Sequence, residues 1–245
     1  MSPALWALAG GVAGAIAGSF AAALVARWPK GETLGGRSKC DACGAQLRWF
    51  ELVPLVSFAA QHGRCRRCGG AIDAQHFAIE AACALVGAIA LFAHPGIEGF
   101  LGALCGWMLA ALAALDVVHF WLPDRLTAAL GLYGVAGVAF RIPPAALDRL
   151  IGGAAGFAAL AAIAWSYRRL RGRDGLGAGD AKLLGAIGLW LGWRALPFVL
   201  VGACALGLAA ALAMRLRGET VRADTRLPLG ALMAVAAFPV WLVSR

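Results

Sequence analysis

Two carboxylates stand where a hydrophobic chain would not be expected to carry charge. Asp116, in Ala114-Leu115-Asp116-Val117-Val118-His119, closes one long apolar run, and Asp180, in Gly175-Leu176-Gly177-Ala178-Gly179-Asp180-Ala181-Lys182, opens another. An acid at the edge of a bilayer is costly and is by default a functional group with a partner to be named. Brought face to face, two such acids can share a proton, one activating a water while the other polarises a carbonyl. The alternate glycines before Asp180 leave the backbone bare, which suits the close approach of another chain. Asp124, in Leu122-Pro123-Asp124, competes with Asp116, but a proline and an acid just before an apolar run read as a helix start. His119, three residues after Asp116, shares its helical face and reads as an interface histidine. Glu80 lies within another apolar run. A basic residue of the neighbouring polar segment or a helix N-terminus would account for it.

A second chemistry is written in Cys40-Asp41-Ala42-Cys43 and Cys65-Arg66-Arg67-Cys68, each trailed by a glycine, Gly44 and Gly69. Paired Cys-x-x-Cys knuckles are the pattern of a tetrahedral thiolate zinc site, here with a slightly long intervening loop. Disulfides are the alternative; on a cytoplasmic face thiols stay reduced, which favours the metal. Four thiolates close the coordination sphere, so the zinc is structural. His62 and His76 are substitute ligands by residue type, and read as ordinary exposed histidines. Between the knuckles, Leu47–Phe58 is too apolar for a free loop. It lies along the membrane surface, packs on the first helix, or forms the small core of the module. Cys83, Cys105 and Cys204 sit in apolar runs as small hydrophobes, so the odd total of seven cysteines implies no disulfide.

The elements that must position these groups are membrane helices. The chain has 245 residues, 61% of them hydrophobic and 14% charged, with a mean hydropathy of +0.76, which excludes an ordinary soluble domain. Apolar blocks approach the roughly 20 residues a helix needs to cross a bilayer. They lie at Leu5–Ala26, Phe77–Ala93, Ile97–Leu115, Leu126–Phe140, Leu147–Tyr167, Asp180–Trp193, Ala195–Met214 and Leu227–Val243. The expected fold is therefore an all-α polytopic membrane protein of about eight transmembrane helices; two short blocks leave seven or six crossings open. The first block lacks a basic flank and runs too long for a signal peptide, so it reads as a retained helix. With the N-terminus outside, only Arg141, Arg149, Arg194 and Arg245 of the 22 lysines and arginines fall on the outer side. That is the positive-inside rule. It explains the net charge of +9 as topology, with no nucleic-acid partner, and places Asp116 and Asp180 at cytoplasmic helix ends. The organisation is residues 1–30 as a first helix, 31–76 as a cytoplasmic zinc-binding module and 77–245 as the membrane-embedded part carrying both acids.

Two other classes fit parts of the pattern. A transporter or ion channel would line its path with acids, but near the midplane. A membrane assembly factor would use the zinc module to bind a partner, leaving Gly-Ala-Gly-Asp without a reason. In combination and in order, the motifs resemble a known family. They are Gly18-Ser19-Phe20 with Arg27 and Pro29, the paired knuckles around Leu52-Val53-Pro54-Leu55-Val56-Ser57, Asp116 with Leu122-Pro123-Asp124, Gly177-Ala178-Gly179-Asp180 with Lys182, and Leu227-Pro228-Leu229-Gly230. This set resembles the type IV prepilin peptidases, the GxGD-type aspartic membrane proteases, over nearly the whole chain. The resemblance implies a multi-pass endopeptidase of the bacterial inner membrane with its active site facing the cytoplasm. Its substrates would be type IV prepilins and the pilin-like subunits of type II secretion, from which it removes a basic leader. It further implies Asp116 and Asp180 as the catalytic pair and a zinc-ribbon-like loop at Cys40, Cys43, Cys65 and Cys68. Methylation of the new N-terminus with S-adenosylmethionine is implied as well.

Overall fold

The computed structural model describes residues 2–172, 175–220, 222 and 225–244; Arg173 and Arg245, counted above among the topological charges, lie outside these. Among the described residues the chain is all-helical, with helices at all eight expected blocks. Five are long and apolar enough to cross a membrane: α1 (Pro3–Arg27, with the 3-10 turn to Lys30), α3 (Ala74–Ala93), α4 (Ile97–His119), α6 (Ala146–Arg171) and α8 (Leu196–Leu216, with its preceding 3-10 turn). The other three are shorter. They are α5 (Asp124–Ala136), α7 (Ala178–Leu191) and α9 (Leu229–Val243), the longest having 15 residues. At 1.5 Å per residue they reach only about 20–23 Å, short of the ~30 Å hydrocarbon core. A five-residue helix, α2 (Val56–Ala60), lies in the polar segment.

The chain divides into two compact units, Met1–Trp107 and Met108–Arg245, and α4 passes from the first into the second. In the first unit, α1 and α3 form an antiparallel pair whose backbones nearly touch. Gly10, Gly14 and Gly18 recur every fourth residue of α1 and face Gly87, Cys83 and Glu80 of α3 in reverse order. A Cβ on Gly10 or Gly14 would run into the carbonyl of Gly87 or Cys83, and one on Gly18 would sit 2.6 Å from the Glu80 Cα. Such a small-residue stripe is how membrane helices gain contact where lipid supplies no hydrophobic drive. The bulky side chains of Leu8, Val12, Ile16 and Phe20 lie on the exposed surface of α1, as a lipid-facing side requires. Trp107 closes the unit by donating its indole N–H to the Cys83 carbonyl at 2.9 Å.

The second unit is built around α7. From Leu183 to Gly188 every residue of this helix is buried, although it is one of the short ones. Glycines again set the distance: Gly188 meets the Gly152 carbonyl of α6, and Gly134 of α5 meets the backbone of Trp190. The block expected as Leu126–Phe140 starts two residues early, with Pro123 at the N-cap, and stops at Ala136. Its shortened end is held by Arg149, expected as an outer-surface charge but buried at 1% exposure. Its guanidinium donates to the carbonyls of Gly134, Ile142, Pro143, Pro144, Leu189 and Trp190 at 2.6–3.1 Å. These include carbonyls at the C-terminal ends of α5 and α7, which the helices themselves leave without donors. Arg149 thus locks the far end of the helix whose near end carries Asp180.

Candidate active site and cysteine cluster

The two sequence-predicted acids come together in the second unit. Asp116 lies in the last turn of α4, after which Phe120 turns the chain with a φ of 49°; Asp180 is the third residue of α7. Both are buried, at 6% and 9% exposure, and Asp180 lies in the field of Asp116. A third element, absent from the sequence-based site, holds Asp116: the N-terminus of α9. The Ala231 N–H donates to Asp116 Oδ2 at 2.8 Å, and Gly230 packs against the same oxygen, where a Cβ would come within 2.9 Å. Asp180 Oδ2 accepts the Gly177 N–H at 3.1 Å. A helix offers its first N–H groups unpaired, and here α9 gives that of Ala231 to Asp116. In the sequence this element showed only as the closing motif Leu227-Pro228-Leu229-Gly230, whose proline suits a helix start.

The glycines before Asp180 have internal reasons rather than the open face expected for a substrate backbone. A Cβ at Gly175 would strike the Tyr167 ring, one at Gly177 would lie 3.1 Å from Asp180 Oδ2, and one at Gly179 would lie 3.0 Å from the Leu122 Cβ. Leu122 is also wedged against Gly230, where a Cβ would come within 2.6 Å of its Cδ1. One leucine therefore sets the spacing between the start of α7 and the start of α9. Asp124 is not part of the pair. It stands at the start of α5 and binds Lys182 at 2.7 Å on the surface, so the lysine is engaged away from the dyad. His119 is exposed and serves no visible role there.

In the first unit the four predicted cysteines converge. Their sulfurs all lie within 4.8 Å of one another, with Cys40 and Cys68 at 3.9 Å; four thiolates at the Zn–S length of about 2.3 Å stand about 3.8 Å apart in a tetrahedron. The knuckles repeat each other. The Cys40 N–H bonds the Ala45 carbonyl at 2.9 Å and the Cys65 N–H the Gly70 carbonyl at 2.8 Å, while Gly44 and Gly69 take left-handed φ values of 68° and 71°. All four cysteines are free thiols. Backbone N–H groups of Cys68 and Arg67 pull the Cys65 thiol down to about 7, while Cys68, despite the Gly70 N–H, is pushed up to about 11 by the crowding of Cys43, Cys65 and Cys40 around it. A cation among the four sulfurs would relieve that crowding of charge. Neither His62 nor His76 belongs to the cluster. Donor type, number and spacing all fit zinc.

Glu80 finds a partner that the sequence did not suggest. Its carboxylate accepts the backbone N–H of Leu55 at 2.8 Å, not a basic side chain. Leu55 is held at a φ of 63°, a conformation costly for a branched residue, so this bond fixes a strained turn of the loop between the knuckles.

Comparison with known proteins bears on both units. Residues 12–94 match the model of the bacterial peptidase A24 N-terminal domain, and residues 103–212 match that of the type IV leader peptidase family. A prepilin leader peptidase/N-methyltransferase of Burkholderia pseudomallei (strain 1026b) is 40% identical over 200 residues, 81% of this chain and 64% of the relative. The protein of the same description from Stutzerimonas stutzeri is 32% identical over 203 residues, covering 82% of this chain and 70% of the relative. The chain belongs to the type IV leader peptidase family. The match spans a little under two thirds of the Burkholderia protein's length. No solved structure matches the chain. Both acids fall inside the stretch that matches the leader peptidase family, whereas α9, which supplies the N–H donor to Asp116, begins after that stretch ends at 212.

Proposed function

We propose that this protein cleaves the leader from type IV prepilins or pilin-like type II secretion subunits, with Asp116 and Asp180 as its catalytic pair. The observation that carries the reading is the burial of two carboxylates together at the start of α9, Asp116 accepting the Ala231 N–H and Asp180 lying in the field of Asp116. Two acids so placed hold one proton between them. The ionised member takes a proton from water as the oxygen attacks the scissile carbonyl carbon. The protonated member hydrogen-bonds to the carbonyl oxygen as charge grows there. Collapse of the tetrahedral adduct breaks the C–N bond, with proton return to the departing amine, and frees leader and mature chain. The Ala231 and Gly177 N–H groups hold Asp116 and Asp180 in register throughout.

The distribution of basic residues supports an inner-membrane orientation with the acids and residues 31–76 facing the cytoplasm. Cys40, Cys43, Cys65 and Cys68 would hold a structural zinc, cross-linking the two knuckles of that module, and residues 77–245 form the membrane-embedded peptidase part. Methylation of the new N-terminal amine is the second activity in this proposal, motivated by the description of the relatives. S-adenosylmethionine would supply the methyl group. The described residues contain no strand and glycine-rich loop of the dinucleotide-binding type, so donor binding would use another arrangement.

The test is the full chain in liposomes with a leader-bearing prepilin and S-adenosylmethionine, followed by mass spectrometry. Loss of the leader establishes the peptidase, and a further methyl mass on the product establishes the transferase. Intact prepilins after incubation with folded protein would overturn the reading. The zinc assignment makes a separate prediction. Purified protein carries about one zinc per chain, and Cys65→Ser or chelation releases it and exposes the remaining knuckle thiols to a maleimide. Metal-free wild-type protein with the same thiol reactivity as Cys65→Ser would refute it.

A further inference from the structure

The loop between the knuckles carries an apolar surface that the module does not use as its core. Trp49 is 80% exposed, Val56 63%, Leu52 41% and Val53 36%. This settles one alternative posed by the sequence, because a module core would be covered. The same loop is tied to α3 at two points: the Leu55 N–H binds Glu80, and Phe58 stacks on Phe77 with ring centroids 4.9 Å apart. Phe77 and Glu80 stand in the first two turns of a helix long enough to cross the bilayer, about 5–9 Å along it from Ala74. The exposed residues are therefore fixed at the depth of the membrane interface. Basic groups flank them, with the Arg48 and Arg66 guanidinium carbons 5.9 and 5.5 Å from the Phe50 ring.

We propose that residues 49–56 form an interfacial anchor that inserts Trp49 and Val56 into the leaflet on the module's side, with Arg48 and Arg66 on lipid phosphates. The partner is an anionic phospholipid surface. Tryptophan belongs at that depth because its ring is apolar and its N–H polar. Arginine is weakly hydrated and matches phosphate oxygens in a fork. The tether to α3 removes the choice of depth that a free amphipathic segment would have. The anchor holds the cysteine module against the membrane and is independent of whether the acids in the other unit cleave prepilins.

The experiment reconstitutes the full chain, wild type and Trp49→Phe, in vesicles of phosphatidylcholine alone or mixed with phosphatidylglycerol. The fluorescence difference between the two proteins isolates Trp49. The expected result is quenching of that signal by bromine-labelled acyl chains and at least a twofold reduction in its quenching by aqueous iodide, stronger with phosphatidylglycerol and weakened by Arg48→Gln with Arg66→Gln. A signal open to iodide and blind to brominated lipid would overturn the anchor. Equal shielding in both vesicle types, unchanged by the arginine variants, would overturn the phosphate contact. Shielding that appears only after prepilin is added would assign the surface to substrate instead. Cysteine reactivity like that of wild type shows that Trp49→Phe leaves the module folded.

Discussion

Asp116→Asn and Asp180→Asn each reduce leader removal by at least about 10³-fold while the protein stays folded and membrane-inserted. Asparagine keeps the shape of the carboxylate and retains an acceptor for the Ala231 or Gly177 N–H, so the loss is chemical. Neither single variant can pass a proton between the acids. Because the two act as a unit, the double variant should be scarcely slower than either single one. Single-turnover cleavage of a prepilin with quantified products measures all three rates. Wild-type-like cleavage by either single variant would remove the dyad from the mechanism, and multiplicative losses in the double would mean that the acids act separately.

Gly230→Ala is expected to lower kcat by about 10²-fold with little change in KM, since it misplaces reacting groups without touching a distant substrate contact. The added methyl would lie 2.9 Å from Asp116 Oδ2 and 2.6 Å from Leu122 Cδ1. Something must give: either the start of α9 lifts away, breaking the Ala231 bond, or Asp116 turns from its donor. Adding Leu122→Ala separates the causes, because it relieves the leucine contact and leaves the carboxylate contact. Persistent loss in the double variant locates the defect at Asp116; full recovery locates it in the spacing set by Leu122. Unchanged kcat in Gly230→Ala would show that the seating of the α9 start against Asp116 contributes nothing to the reaction. A thermal unfolding curve like that of wild type excludes a general loss of α8–α9 packing.

What sequence reasoning reached, and what it missed, follows from where the information lies. Hydropathy located all eight helices because burial in lipid or protein demands apolar side chains in either case; block length already set α5 and α7 apart as short, but α9, whose apolar block is longer and which is largely buried within protein, was not distinguished from the five long helices. Cysteine spacing revealed the cluster because four sulfurs can converge only if each knuckle turns tightly. The dyad was legible because a carboxylate in an apolar run has few bland explanations. Its main-chain donors were not, because every residue carries an N–H and nothing in Leu229-Gly230-Ala231 says where those groups point. The glycines before Asp180 show the complementary difficulty. A bare backbone looks alike whether it awaits a substrate or, as here, makes room for Tyr167 and Leu122. Glu80 was recognised as a charge needing a partner, but that partner, the Leu55 N–H, comes from tertiary packing, as does the pairing of Lys182 with Asp124.

The glycine stripe of α1 has an architectural consequence. Because α1 and α3 run antiparallel with their backbones nearly touching from Gly10 to Gly18, the chain leaves and re-enters the membrane pair side by side. Topologically, everything between Lys30 and Asp73 is an insertion into a helical hairpin. Closing such a detour costs entropy that grows only slowly with its length, so the hairpin tolerates a long excursion nearly as well as a short one. The glycines of α1 bring its backbone onto α3, and the Glu80–Leu55 bond and the Phe58–Phe77 stack tie the excursion back to that helix. Away from those two ties, the cysteine-bearing excursion can thus vary in length without the membrane-embedded pair having to change.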